Sequence, residues 1–291
     1  MKSIVIIGYG QLGFALNKRL LTENAHVLTL SRTPYPSLAA RHHHQVIDLD
    51  SLTSPISLPP KIDCLYYLAP PSDTELSDKR LANFLKLHKY HDITHIIYIS
   101  TSGVYGNSHG EWLTETSPTL AQADRARRRL NAEQQLLAFH QQTNTSITIL
   151  RCAAIYSEKT VNYKRIKENT KPVIAAKDAP FTNRIHLQDL TEVCWQALQN
   201  QPTSTEIFNV SDGHPSTTTE HAWLLSDLAG VPRNKEIALP EADQYYSPAY
   251  MSYLMESKKL DTSKLIKTLK PNLNFENCEE GIKDCLKRSV N

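Results

Sequence analysis

Ser3-Ile4-Val5-Ile6-Ile7-Gly8-Tyr9-Gly10-Gln11-Leu12-Gly13 is the stretch that decides the fold. Five residues suited to a buried strand run into a Gly-x-Gly-x-x-Gly turn, and Leu12, Ala15, Leu16 and Leu20 then share one face of a helix. A strand, a glycine turn and a helix in that order form a pyrophosphate cradle: the glycines permit a tight turn and close backbone approach, and free amides at the helix N-terminus meet the charge. Only nine glycines occur in the whole chain and three fall in these six residues, which argues against an ordinary turn. A dinucleotide site on Gly8, Gly10, Gln11, Leu12 and Gly13 is the first expectation.

Outward from the turn, short apolar runs alternate with amphipathic stretches, the form of repeated βα units. Strands are expected at Ser3 to Ile7, His26 to Leu30, Gln45 to Ile47, Cys64 to Leu68, His95 to Ser100, Ser146 to Arg151 and Ile207 to Val210. Leu81, Leu85 and His88 suggest a second helix. Leu130, Gln134 and Leu137 suggest the inner face of a third, and Asp189 the N-cap of another. His42 to His44 reads as a solvated loop, with metal binding the lesser alternative. The predicted fold is α/β, a Rossmann-type doubly wound parallel sheet with a small C-terminal substrate lobe. Residues 1–155 and about 185–212 form the dinucleotide domain, and about 156–184 and 213–291 the lobe.

The 291 residues carry 32 Lys and Arg against 30 Asp and Glu, a net charge of +2, with no long basic block. That gives little support to nucleic-acid or membrane binding. Five cysteines without a CxxC pair suggest neither a disulfide framework nor a zinc ribbon, and no metal site is expected. No run reaches the length of a membrane span, so a cytoplasmic protein acting on a small molecule is expected.

At the end of the second strand, where a carboxylate would take the 2′-hydroxyl of NAD, the chain reads Ser31-Arg32-Thr33. Arg32 offers a fork for a 2′-phosphate instead, so NADP is preferred over NAD. Asp48 suits either the adenine amino group or a helix cap. Leu68, Ala69 and Ser100, at two further strand ends, complete the expected cofactor edge together with Arg129, discussed below.

Ile99-Ser100-Thr101-Ser102-Gly103-Val104-Tyr105-Gly106 ends the fifth strand, and here the chain resembles the extended short-chain dehydrogenase/reductases, the NAD-dependent epimerase/dehydratase group. The resemblance extends through Leu150-Arg151, Arg184-Ile185-His186-Leu187-Gln188-Asp189-Leu190 and Phe208-Asn209-Val210-Ser211-Asp212-Gly213, thus over about residues 1–215. It implies that Thr101, with Ser102 beside it, polarises a substrate oxygen, and it is compatible with a homodimer. It also exposes a departure. The family's Tyr-x-x-x-Lys, aligned on Ala132-Glu133, falls on Arg125 and Arg129. Arg129 retains donors for a ribose, but Arg125 cannot act as a titrating phenol. The pattern is similar to an atypical, YeeZ-like subgroup. Tyr105, Tyr156 and His186 are the substitute acids to consider, with Thr101, Ser102 and Tyr105 as the catalytic candidates. Two functions fit: an NAD(P)-dependent epimerase, dehydratase or reductase acting on a carbonyl or nucleotide-sugar-type molecule through an altered centre, or a non-catalytic NADP(H) sensor or scaffold.

Overall fold

The computed structural model describes residues 1–289. Seven strands form one parallel sheet: β1 (Ser3–Ile7), β2 (His26–Ser31), β3 (His42–Val46), β4 (Cys64–Tyr67), β5 (His95–Thr101), β6 (Ser146–Cys152) and β7 (Thr205–Val210). Their order is β7-β6-β5-β4-β1-β2-β3, the doubly wound arrangement, and chain direction across the sheet reverses between β1 and β4. Registers such as Ile4 opposite Val27 and Cys64, and Ile97 opposite Thr148, keep like-facing residues in rows.

Because side chains alternate along a strand, each strand supplies both faces of the sheet. Ile4, Ile6, Tyr66, Ile97, Leu150 and Phe208 face one way, covered by α1 (Gln11–Thr22) through Leu16 and Leu20. Val5, Ile7, Tyr67, Ile96, Tyr98 and Ile149 face the other way, covered by α2 (Lys79–Leu87) and α3 (Asp124–Thr143). Two covered faces explain why the strands read as continuous apolar runs.

Three expectations about local structure change. His42 to His44 is not a loop but most of β3, at the edge of the sheet. The strand is polar because an edge strand has one neighbour, and its histidines are satisfied by β2: Thr29 Oγ1 lies 2.8 Å from both His42 Nε2 and His44 Nδ1. Among the described residues, no group of three or more His, Cys, Asp or Glu is placed to hold a metal. The buried face of α3 is Ala126, Ala132, Glu133, Leu136 and Phe139, with Leu130 partly buried against Val104 and Tyr105, while Gln134 and Leu137 are exposed. The helix turns this way because Glu133 is drawn inward by a buried arginine, described below.

Beyond the sheet the chain forms α4 (Tyr163–Glu168), α5 (Leu187–Gln199), α6 (Thr218–Ala229), α7 (Pro248–Leu254), α8 (Ser263–Leu269) and α9 (Cys278–Arg288). His186, not Asp189, caps α5: its Nδ1 accepts the Gln188 N–H at 3.1 Å, while Asp189 Oδ1 accepts from Asn274 N at 2.6 Å. The helices after residue 213 pack in two places. Leu265 and Leu269 of α8 join the core on the α1 face, whereas Cys278, Ile282 and Cys285 of α9 pack with Tyr156 and Val161 in a separate cluster. All five cysteines are free and buried. No helix among the described residues is long and apolar enough to cross a membrane.

His95, fully buried on β5, accepts or shares a proton with Thr148 Oγ1 at 2.9 Å, and burial lowers its pKa to about 4. Its folded pKa lies below the unfolded value near 6.5, so the neutral ring contributes stability above pH 6.5 that is lost as pH falls toward 4. The difference amounts to about 3 kcal/mol at most. We expect urea midpoints to fall between about pH 7.5 and about pH 5, across the free histidine pKa, and to fall less in His95→Gln. Parallel acid profiles for the two proteins would count against this assignment.

Candidate active site

The glycine turn illustrates two different uses of glycine. Gly8 has φ +99°, and a Cβ there would stand 2.5 Å from the Ala69 amide nitrogen; a Cβ on Gly13 would stand 2.5 Å from the Gly8 carbonyl. Both are required by the fold itself, for β1 to turn against the end of β4 and for α1 to start close beneath. Gly10 is different. Its backbone is extended, with φ −85°, and a Cβ there would meet nothing within 4 Å. Nothing in the chain demands glycine at this position, so the space above it is room for a ligand.

That space lies at the N-terminus of α1, which has no side-chain cap and no acidic residue in its first turn. The main-chain N–H groups of Gln11, Leu12 and Gly13 therefore stay available, carrying the positive end of the helix dipole. The Gln11 side chain is already committed, accepting from Ser157 Oγ at 2.8 Å. An uncapped helix start beside the open backbone at Gly10 fits a dinucleotide pyrophosphate.

Two clefts flank the turn. The first, about 290 Å³, is lined by Gly8, Gly10, Leu30, Ser31, Arg32, Asp48, Ala69 and Arg80 among others. Ser31 Oγ donates to Thr33 O at 2.8 Å and shapes the bend after β2. Arg32 is exposed, and among the described residues no ion pair or hydrogen bond holds its guanidinium. Asp48 serves the local turn, with Oδ1 accepting the Asp50 N–H at 3.1 Å, and also lines the cleft, so both of its readings coexist. Arg80, missed in the sequence, faces the same rim, its Nε donating to Asp50 Oδ1 at 2.6 Å. It lies far from the turn in sequence and belongs to no motif.

The second cleft, about 270 Å³, continues past Gly10, Gln11, Leu12, Gly13 and Leu68 to Ile99, Arg129 and Ile155. Arg129 NH1 donates to Ile99 O at 2.9 Å and to Tyr98 Oη at 3.0 Å, fixing the guanidinium against the end of β5. Two residues beyond Ile99 stands Thr101. Its Oγ1 accepts the Gly103 N–H at 3.2 Å, which leaves the hydroxyl hydrogen free to donate. Ser102 begins the short turn Ser102–Tyr105 beside it, half-buried.

Ser100 and Tyr105 are placed otherwise than expected. The Ser100 hydroxyl donates to Glu133 Oε1 at 2.5 Å, and Arg151 closes on the same carboxylate at 2.7 Å, both ionic side chains nearly inaccessible. Arg151 NH1 also donates to Tyr105 Oη at 3.0 Å, and that phenol donates to Asn209 Oδ1 at 2.7 Å. The Ser100 hydroxyl hydrogen is thus spent inside the protein, and the residue is 3% exposed. Tyr105 is 2% exposed, its hydroxyl is spent, and burial raises its pKa with Arg151 only partly opposing. Its role is to hold the strand ends together. Tyr156 is buried against α9, with burial pushing its phenol far up, and His186 is a buried helix cap. None of the three phenol or imidazole substitutes presents a free proton to the clefts.

A dinucleotide cradle at the switch point of a doubly wound sheet, with a Thr-Ser loop at the neighbouring strand end, defines the class of nucleotide-dependent α/β proteins. More narrowly, residues 4–211 match the NAD dependent epimerase/dehydratase family, and the chain belongs to it. Among solved structures, it is similar to a functionally unknown conserved protein from Silicibacter pomeroyi (21% identity, TM-score 0.80, 98% of each chain). It is also similar to the UDP-glucuronic acid 4-epimerase of Bacillus cereus in complex with NAD (17%, TM-score 0.76, 99% of this chain and 100% of the other). A third is the UDP-N-acetylglucosamine 4-epimerase of Methanobrevibacter ruminantium M1 (15%, TM-score 0.78, 99% and 98%). At these identities the likeness is one of fold. No curated protein matches the sequence.

Proposed function

We propose that this protein is an NAD(P)-dependent enzyme, preferring NADP, that oxidises and reduces a carbon of a nucleotide-sugar-type small molecule through an altered catalytic centre. The observation that carries the reading is the empty space above Gly10, at the uncapped start of α1, continuous with clefts that end at Arg32 on one side and Arg129 on the other. The α1 amides would bind the pyrophosphate, and the free Arg32 fork the 2′-phosphate. Arg129 would keep the ribose against β5, and the Thr101 hydroxyl would donate to the substrate oxygen. When bound, the nicotinamide supplies or accepts the hydride.

The cofactor preference is tested by calorimetry on Arg32→Ala. Loss of a charge-assisted contact should cost about 1.5–3 kcal/mol for NADP and leave NAD nearly unchanged. Equal weakening for both, or tighter NAD than NADP binding by the parent, would reject it. Incubation with UDP-glucose and UDP-glucuronic acid, read by reduced-nicotinamide fluorescence, tests the chemistry. NADP binding with no reduction by any sugar nucleotide favours the sensor instead.

A further inference from the structure

Residues 32–40, between β2 and β3, are exposed without exception, yet Arg32, Thr33 and Tyr35 line the first cleft beside the glycine turn. Since no hydrogen bond or ion pair among the described residues holds the Arg32 guanidinium, where it stands depends on how the loop backbone is held. Two of the three consecutive histidines of β3 hold it. Side chains alternate along a strand, so His42 and His44 lie on the side of Thr29, while His43 points the other way and is exposed.

The direction of each hydrogen bond in this group follows from its two ends. The Leu38 N–H, in the loop, donates to His42 Nδ1 at 3.0 Å. His42 is 1% exposed, and burial, aided by the neighbouring His44 and His43, lowers its pKa below the ordinary histidine value. A neutral ring that accepts at Nδ1 carries its hydrogen on Nε2, which donates to Thr29 Oγ1 at 2.8 Å. At the other end Thr33 O can only accept, so His44 Nε2, 3.0 Å away, is the donor. In the neutral His44 ring Nδ1 is then bare, and it accepts the Thr29 hydroxyl hydrogen at 2.8 Å. The hydrogen bonds thus run one way, from Leu38 through His42, Thr29 and His44 to Thr33. Thr33 O also accepts from Ser31 Oγ at 2.8 Å, and the Tyr35 ring packs edge-on against His44 and Tyr9, at 5.7 and 5.0 Å between centroids.

We propose that His44, set in one tautomer by His42 through Thr29, is the positioning residue for recognition of the cofactor's 2′-phosphate, acting through the Thr33 carbonyl on the backbone that carries Arg32. This rests on the NADP preference proposed above. An arginine on a loose exposed loop would have to be ordered, together with its loop, at the moment of binding; a loop already pinned at Thr33 and Leu38 leaves only the side chain to order. NAD has no 2′-phosphate and makes no use of the Arg32 fork. The other walls of the cleft, among them Gly8, Leu30, Asp48 and Ala69, lie outside the loop. The pinning therefore favours NADP over NAD rather than dinucleotides in general.

The test measures NADP and NAD affinities by calorimetry for the parent, His44→Leu and His44→Gln, each with Arg32 present and with Arg32→Ala. His44→Leu should weaken NADP roughly 3-fold to 10-fold, the worth of one hydrogen bond, and leave NAD nearly unchanged. His44→Gln, whose amide nitrogen can still donate to Thr33 O, should stand close to the parent. In the Arg32→Ala background His44→Leu should shift NADP by less than about 2-fold, because the contact it serves is gone. A second measurement needs no variant: proton–nitrogen NMR of the parent at about pH 8, where a free histidine is neutral, should show His44 protonated at Nε2 and bare at Nδ1. The opposite tautomer overturns the proposal, as does a His44→Leu loss of equal size for both cofactors or with and without Arg32, or a His44→Gln protein that behaves like His44→Leu. A parent that prefers NADP, and keeps that preference in His44→Leu, overturns the role of His44 alone and leaves the Arg32 reading in place. A parent that binds NAD more tightly than NADP overturns both.

Discussion

Gly10→Val should fold with an unchanged melting temperature and lose NADP, with affinity falling on the order of 100-fold or more as several amide–phosphate bonds are displaced. The separation of stability from binding follows from geometry. Gly10 has an extended backbone open to any residue, and its missing side chain faces no protein atom within 4 Å. Valine there fills only the space over the α1 N-terminus, where the phosphates would approach. Gly8→Val and Gly13→Val should behave in the opposite way. One forces a side chain at φ +99° into the Ala69 backbone, and the other drives a Cβ to 2.5 Å from the Gly8 carbonyl. Both should lower the melting temperature, since neither neighbour is a flexible side-chain tip. Scanning calorimetry with NADP titration separates the cases. A Gly10→Val protein that binds NADP like the parent would sink the proposed cradle.

Glu133→Ala should destabilise the protein by about 3–5 kcal/mol, the cost of leaving a buried charge without its partner. Arg151 is the stranded group: its side chain is 6% exposed, and Nε and NH2 both rest on the Glu133 carboxylate. Three strand ends meet in the same network, through Ser100 on β5, Arg151 on β6 and Asn209 on β7, with Tyr105 joining the last two. Since Thr101 follows Ser100 directly, the same change should loosen the hydroxyl that the proposed chemistry uses. Adding Arg151→Leu should recover part of the loss, because an apolar replacement of the whole pair leaves no orphaned charge. Urea unfolding of the single and double variants measures this. A single-variant loss under about 1 kcal/mol, the scale of an exposed pair, would mean that Arg151 finds another partner or water.

The parts of this protein legible in its sequence are those set by local composition. Strands buried on both faces must be apolar throughout, so β1, β2, β4, β5, β6 and β7 announce themselves, and the glycine turn follows from a backbone conformation that few residues adopt. The parts decided only by tertiary structure are those where one polar group depends on another far along the chain. His42 to His44 can be a strand because Thr29 lies opposite to bond two of the histidines. The inner face of α3 is set by Arg151 drawing Glu133 inward, which leaves the apolar Leu137 exposed. Arg80 reaches the rim of the first cleft from α2, and Glu256 meets Arg125 from 131 positions away, a number that no pattern in either segment contains. Apolar burial is nearly indifferent to which partner covers it and so leaves a periodic trace, whereas a buried hydrogen bond or ion pair demands one particular partner at one distance, which only the folded chain supplies.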